Sequence, residues 1–142
     1  MKDFIIAVDF DGTCVEHNFP LIGENVPFAV ETLQWLQNKG VKLLLWTMRS
    51  GDHLAYAVDW WVKHGLQLHG INTNPAQKAW TSSPKAYAHL YIDDAALGCP
   101  LIHEEGKRPY VNWVAVRRHL EDYHFYIEPI VHGSSVTNSQ TN

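Results

Sequence analysis

Asp9 and Asp11 stand two residues apart at the end of the apolar run Phe4-Ile5-Ile6-Ala7-Val8, and Gly12 and Thr13 follow them directly. In an extended chain, residues two apart point the same way, so both carboxylates are expected in one small volume while Phe10 turns into packing. Carboxylates held that close repel until a cation or a shared proton relieves them. Gly12 lets the backbone bend and approach a ligand, and Thr13 adds a hydroxyl and an amide. The set reads as an anion site with a metal beside it. An Asp-Gly turn with solvated acids would explain the same residues, because such dipeptides mark turns everywhere. The rest of the chain has to decide between the two.

Two further apolar runs end in polar residues. Val41 to Trp46 leads into Thr47-Met48-Arg49, and Ala88 to Ile92, preceded by Lys85, leads into Asp93-Asp94. Continuous apolar runs of this length suit parallel strands buried on both faces. Between the first two runs the spacing predicts a loop over residues 14–24, then a helix from about Pro27 to Gly40, with Val30, Leu33 and Leu36 on its apolar face. A second helix is expected from about Asp52 to Gly65, carrying Leu54, Ala57, Val58, Trp61 and Val62. Leu66 to Ile71 reads as a short third strand and residues 72–84 as an irregular loop. Leu97 to Ile102 reads as a last strand and Tyr110 to Leu120 as a closing helix. Strands alternating with helices through short connections predict an α/β fold, a Rossmann-like three-layer α/β/α sandwich with a mostly parallel sheet. Ligands in such folds bind at the carboxyl ends of the strands, where Asp9, Asp11, Thr47, Asp93 and Asp94 fall.

The chain's 142 residues predict a single domain over 1–127, with a polar, periodless tail at 128–142 expected to be loosely ordered. A net charge of -4 argues against nucleic-acid binding through a basic face. No run is long enough to span a bilayer and no export signal is visible, so the chain is read as cytoplasmic. Cys14 and Cys99 form no metal-type pair and read as free thiols, Cys14 as a small buried hydrophobe. The nine histidines show no HExxH or mixed Cys/His ligand spacing. His17, Phe19 and Trp80 lie in loops expected to face a substrate, although aromatic loop residues mostly pack on the rim.

In this order, Asp9-x-Asp11-Gly12-Thr13, Thr47, Lys85 and Asp93-Asp94 resemble the haloacid dehalogenase (HAD) superfamily of phosphotransferases, over the span from Phe4 to Asp94. The resemblance implies a Mg²⁺-dependent phosphomonoester hydrolase working through an aspartyl-phosphate. Asp9 would be the nucleophile and Asp11 the general acid/base. Thr47 and Lys85 would stabilise the phosphoryl oxygens, helped by Gly12, Thr13, Met48 and Arg49 as substrate-binding residues, with Arg49 either meeting a second anionic group or forming a rim salt bridge. Asp9, the backbone carbonyl of Asp11, and Asp94 would hold the metal. Asp93 would support Asp94 and pair with Lys85. Residues 14–40 and 51–84 leave no room for the large cap domain of many relatives, which implies an open site for a bulky phosphorylated substrate or a second subunit acting as lid. The alternatives are a non-catalytic or regulatory phosphate-binding module of the same fold, and a phosphotransferase or phosphomutase. A receiver-type signalling domain uses similar residues but in a different order.

Overall fold

The computed structural model describes residues 4–123. Its strands and helices alternate as β1 (Ile5–Val8), α1 (Ala29–Asn38), β2 (Lys42–Leu45), α2 (Gly51–Lys63), β3 (Gly70–Ile71), a 3-10 helix (Pro75–Ala79) and β4 (Leu90–Ile92). A hairpin of β5 (Leu101–Ile102) and β6 (Tyr110–Val111) then leads into α3 (Trp113–Asp122). The sheet order is β3-β2-β1-β4 with every neighbour parallel, so β1 is central and β4 lies at an edge. This is the expected α/β architecture with a parallel sheet. The residues expected to form a polar tail at 128–142 lie outside the described ones.

Alternation along β1 divides the core. Ile6 and Val8 face a large apolar cluster that takes in Leu33 and Leu36 of α1, Trp60 and Trp61 of α2, and Trp113 and Leu120 of α3. Full burial of each such side chain stabilises by roughly 1.5–3 kcal/mol. Ile5 and Ala7 face the other way, into a small cluster with Leu44, Ala86 and Ala88. All three helices therefore contribute to one cluster. The opposite face is covered by the segment carrying the 3-10 helix, which corrects the expectation of helices in both outer layers. Gln77 organises that segment, donating to the carbonyls of Ser83 and Lys85 and accepting from the amide of Tyr87.

The expected strand at Leu66–Ile71 shrinks to its last two residues, and that at Leu97–Ile102 likewise. The closing helix starts at Trp113 rather than Tyr110, because Tyr110 and Val111 pair with Ile102 and Leu101. Asn112 then caps the helix, its side chain accepting from the Ala115 amide. This pairing matters to the strand tip. The Val111 amide donates to the Gly12 carbonyl at 3.0 Å, and the buried indole Nε1 of Trp113 donates to the Thr13 carbonyl at 2.7 Å. Trp113→Phe, which removes that donor and leaves part of the indole's volume empty in the core, is expected to lower unfolding stability by about 2 kcal/mol or more in urea titration.

Candidate functional site

β1 ends at Val8, and the chain turns at once. The Asp9 amide donates to the Ile92 carbonyl, Cys14 and Thr13 amides return to Phe10, and the Gly12 amide reaches the Val15 carbonyl at 2.7 Å. Gly12 has φ +83°, and a Cβ there would collide with His17 Nε2 and Asp94 Oδ2, so both backbone sign and space demand glycine. The turn buries Thr13 completely, and its hydroxyl donates to Asp9 Oδ2 at 2.8 Å while accepting from the Asp94 amide at 3.3 Å. Thr13 is thus a clamp between two strand tips. It does not line an open anion cradle.

Asp9, Asp93 and Asp94 each bring a carboxylate oxygen within 4.8 Å of the others. Burial pushes the Asp9 carboxyl up to about 8, against the lowering effect of the Thr13 hydrogen bond and with the charges of Asp93 and Asp94 adding to the rise. Asp93 is raised as well, again chiefly by burial, with the Ala95 amide opposing and Asp94 adding to the shift. Among the described residues neither Asp9 nor Asp93 has a cationic partner. Three hard oxygens under mutual repulsion fit a small divalent cation such as Mg²⁺.

Asp11 does not join this group, contrary to the convergence expected from its spacing. The amide bonds of Thr13 and Cys14 back to the Phe10 carbonyl turn the chain around Asp11 and Gly12, and the alternation rule does not carry into that turn. The Asp11 carboxylate instead receives Arg49 Nε at 2.8 Å on one oxygen and Arg49 Nη2 at 2.7 Å on the other. Arg49 lies 3% exposed, away from any rim. Its remaining donors go to the carbonyls of Pro20, Leu21 and His53, and its guanidinium stacks between the rings of Phe10 and Phe19. All five of its N–H donors are accounted for, so of its two expected roles Arg49 takes the salt bridge, buried rather than on the rim, and pins the 14–24 loop to α2 with no donor left for a second anionic group.

The other expected residues divide. Thr47 and Met48 border a hollow of about 350 Å³ that also takes in Asp9 and Asp93. Asn72, in a left-handed conformation, holds Thr47 by accepting from its amide and donating to its carbonyl, both at 2.8 Å. Lys85 is exposed and its ammonium lies over the Tyr91 ring, 5.9 Å from the centroid. It makes no ion pair with Asp93 among the described residues. The Tyr91 hydroxyl is fixed by Ala86 and Ala88, which presents the ring to the cation as Lys85 passes. His17 has a sharper part than its sequence position suggested, with Nε2 2.8 Å from Asp94 Oδ2. No ligand spacing marks that contact. Only the need for glycine at position 12 hints that another side chain presses there. Cys14 is fully buried, its thiol on the Asp9 carbonyl and pushed well up, by burial first and then by the charges of Asp9 and Asp11.

A structure of a conserved protein from Bacteroides thetaiotaomicron is similar at 38% identity and a TM-score of 0.69, covering 83% of this chain and 89% of that one. The chain belongs to the same family as that protein. No family model and no curated protein matches. The likeness establishes shared ancestry and fold for the family, and the chemistry has to come from the site.

Two outcomes follow from the charges. Arg49→Met strands Asp11 without its partner and is expected to cost about 3 kcal/mol or more. Adding Asp11→Leu to it should cost less than the sum of the two single changes, both read by urea unfolding. Folded Asp9 keeps its proton to higher pH than unfolded Asp9. The stability this brings is full below the ordinary value of 3.8 and is lost as pH rises through about 8. Metal-free protein should therefore melt at lower temperature at pH 9 than at pH 5, with a shallower fall in Asp9→Asn. An equal fall in that variant would move the effect to another group.

Proposed function

We propose that the chain is a Mg²⁺-dependent phosphomonoester hydrolase of the HAD type, capless, in which Asp9 is the nucleophile. The observation that carries this reading is the meeting of Asp9, Asp93 and Asp94 at the carboxyl ends of the central and edge strands, on a hollow that Thr47 also borders. Open α/β sheets bind their ligands at that edge. With its carboxyl raised to about 8, Asp9 without a cation would carry a proton at neutral pH and could not attack. The reading thus requires positive charge at the triad. Asp9, Asp93 and Asp94 would hold Mg²⁺, with the Asp11 carbonyl as the further oxygen the resemblance implies. When bound, the ion supplies charge that restores the Asp9 carboxylate and offsets its repulsion of a phosphate.

The remaining steps belong to the chain. An Asp9 oxygen bonds to phosphorus as the bond to the leaving oxygen breaks, and Asp11 supplies that oxygen's proton. Water then attacks the aspartyl-phosphate, passing a proton back to Asp11 and freeing phosphate and the Asp9 carboxylate. Both Asp11 oxygens accept from Arg49, so Asp11 must first give up one of those bonds and take a proton from solvent on the freed oxygen before it can pass that proton to the leaving group. Thr47 orients the phosphoryl oxygens from the hollow's wall. Lys85, exposed on the Tyr91 ring, exchanges that contact for the phosphoryl charge.

The Arg49–Asp11 clamp also favours a second reading, a phosphate-binding or phosphotransfer module that takes phosphate on Asp9 and does not release it to water. Hydrolysis of an aryl phosphate with and without Mg²⁺ separates the two. Turnover that needs Mg²⁺ and falls about a thousandfold or more in Asp9→Asn is expected. A stable phosphoenzyme without turnover selects the second reading. Equal rates for the wild type and Asp9→Asn would exclude Asp9 as nucleophile.

A further inference from the structure

The hollow beside Asp9 also describes what the phosphate is attached to, an inference that rests on the phosphomonoesterase reading. A phosphoryl group attacked by Asp9 leaves its substituent in this space. One side of the space carries the carboxylates of Asp9 and Asp93, and the other is formed by Trp46, Met48 and Pro84. Met48 is 98% exposed, a thioether held almost wholly in water at the mouth of the site. Trp46 is half-buried, with its ring tilted against Tyr91 at 6.4 Å between centroids. Both groups favour flat aromatic partners, the indole by stacking and the thioether by sulfur–ring contact.

The polar residues of the same wall are already engaged. Both ends of the Asn72 amide are held by the Thr47 backbone, and the Thr47 hydroxyl, which accepts from the Arg49 amide at 3.1 Å, keeps one proton that the phosphoryl oxygens would take. A substituent rich in hydroxyls would find few open partners. No cationic side chain lines the hollow among the described residues, and Arg49 has no donor left. With the triad's cation and Lys85 both taken by the phosphoryl group, a second anionic group would find no positive charge of its own along Trp46, Met48 and Pro84.

We propose that the substrate is a phosphomonoester whose substituent is an uncharged aromatic group seated on Met48 and Trp46. Binding of non-hydrolysable phosphonates to the full chain in Mg²⁺, measured by calorimetry, tests this. Benzylphosphonate is expected to bind about tenfold more tightly than methylphosphonate, and 4-carboxybenzylphosphonate more weakly than benzylphosphonate. Met48→Ser should bring the benzyl-to-methyl ratio towards one, and Met48→Leu should keep it. A nucleoside 5′-phosphonate in the same series distinguishes a ring carried on ribose from one attached directly, and either binding above methylphosphonate supports the proposal. Equal binding of benzyl- and methylphosphonate, or tighter binding of the carboxylated probe, overturns it while leaving the phosphatase reading intact. Binding of none of the phosphonates removes both.

Discussion

Like charges crowded at one sheet edge are the constraint on which this structure turns. Asp9, Asp93 and Asp94 are brought within 4.8 Å of one another by the parallel pairing of β1 and β4, whose tips they occupy. Repulsion in a half-buried place disfavours that arrangement unless something holds the tips together. The Thr13 hydroxyl bonds Asp9 and the Asp94 amide at once, and His17 takes the outer oxygen of Asp94. Val111 and Trp113 secure the carbonyls of Gly12 and Thr13 from behind. Each clamp comes from a different part of the chain, so the tertiary fold holds a cluster that local structure would scatter.

Arg49 solves a second problem of the same kind. The 14–24 loop has no regular structure, and its carbonyls at Pro20 and Leu21 need donors where they turn inward. One guanidinium meets those carbonyls, the His53 carbonyl of α2 and both oxygens of Asp11. The planar fork of arginine is suited to this, since lysine offers a single point charge and cannot grip a carboxylate at both oxygens while reaching three carbonyls. The loop beside the site is thereby tied to the turn that carries Asp11, so movement of one is felt by the other.

Much of the fold and of the candidate site was legible because it follows from short-range chemistry. The apolar runs ending at Val8, Leu45 and Ile92 read as parallel strands because burial on both faces leaves no alternation, and their polar tips read as a site because such sheets expose only their ends. What escaped was the work of tertiary contacts. Tyr110 and Val111 carry a helix-compatible pattern, yet they pair with β5. Residues 72–84 were legible as irregular, and only the 3-10 turn at Pro75–Ala79 was not, but how Gln77, Asn74 and Tyr91 satisfy that segment's backbone through side chains is something no periodicity reveals. Lys85 stands just before β4 as its sequence position indicates, but its ammonium lies over the ring of Tyr91, six residues on, and not on Asp93.

The separation of Asp9 from Asp11 is the most informative of these differences. Spacing alone gave the two acids one environment, whereas the turn after Val8 gives them opposite ones. Asp9 lies against two acids, without a cation and with its proton held to about 8. Asp11 lies against a fully engaged guanidinium. Two chemically identical side chains are thereby given different surroundings, one crowded by carboxylates where a cation would fit, the other neutralised by a guanidinium. The division leaves one acid short of positive charge and the other supplied with it, so a cation entering the triad acts on Asp9 before Asp11.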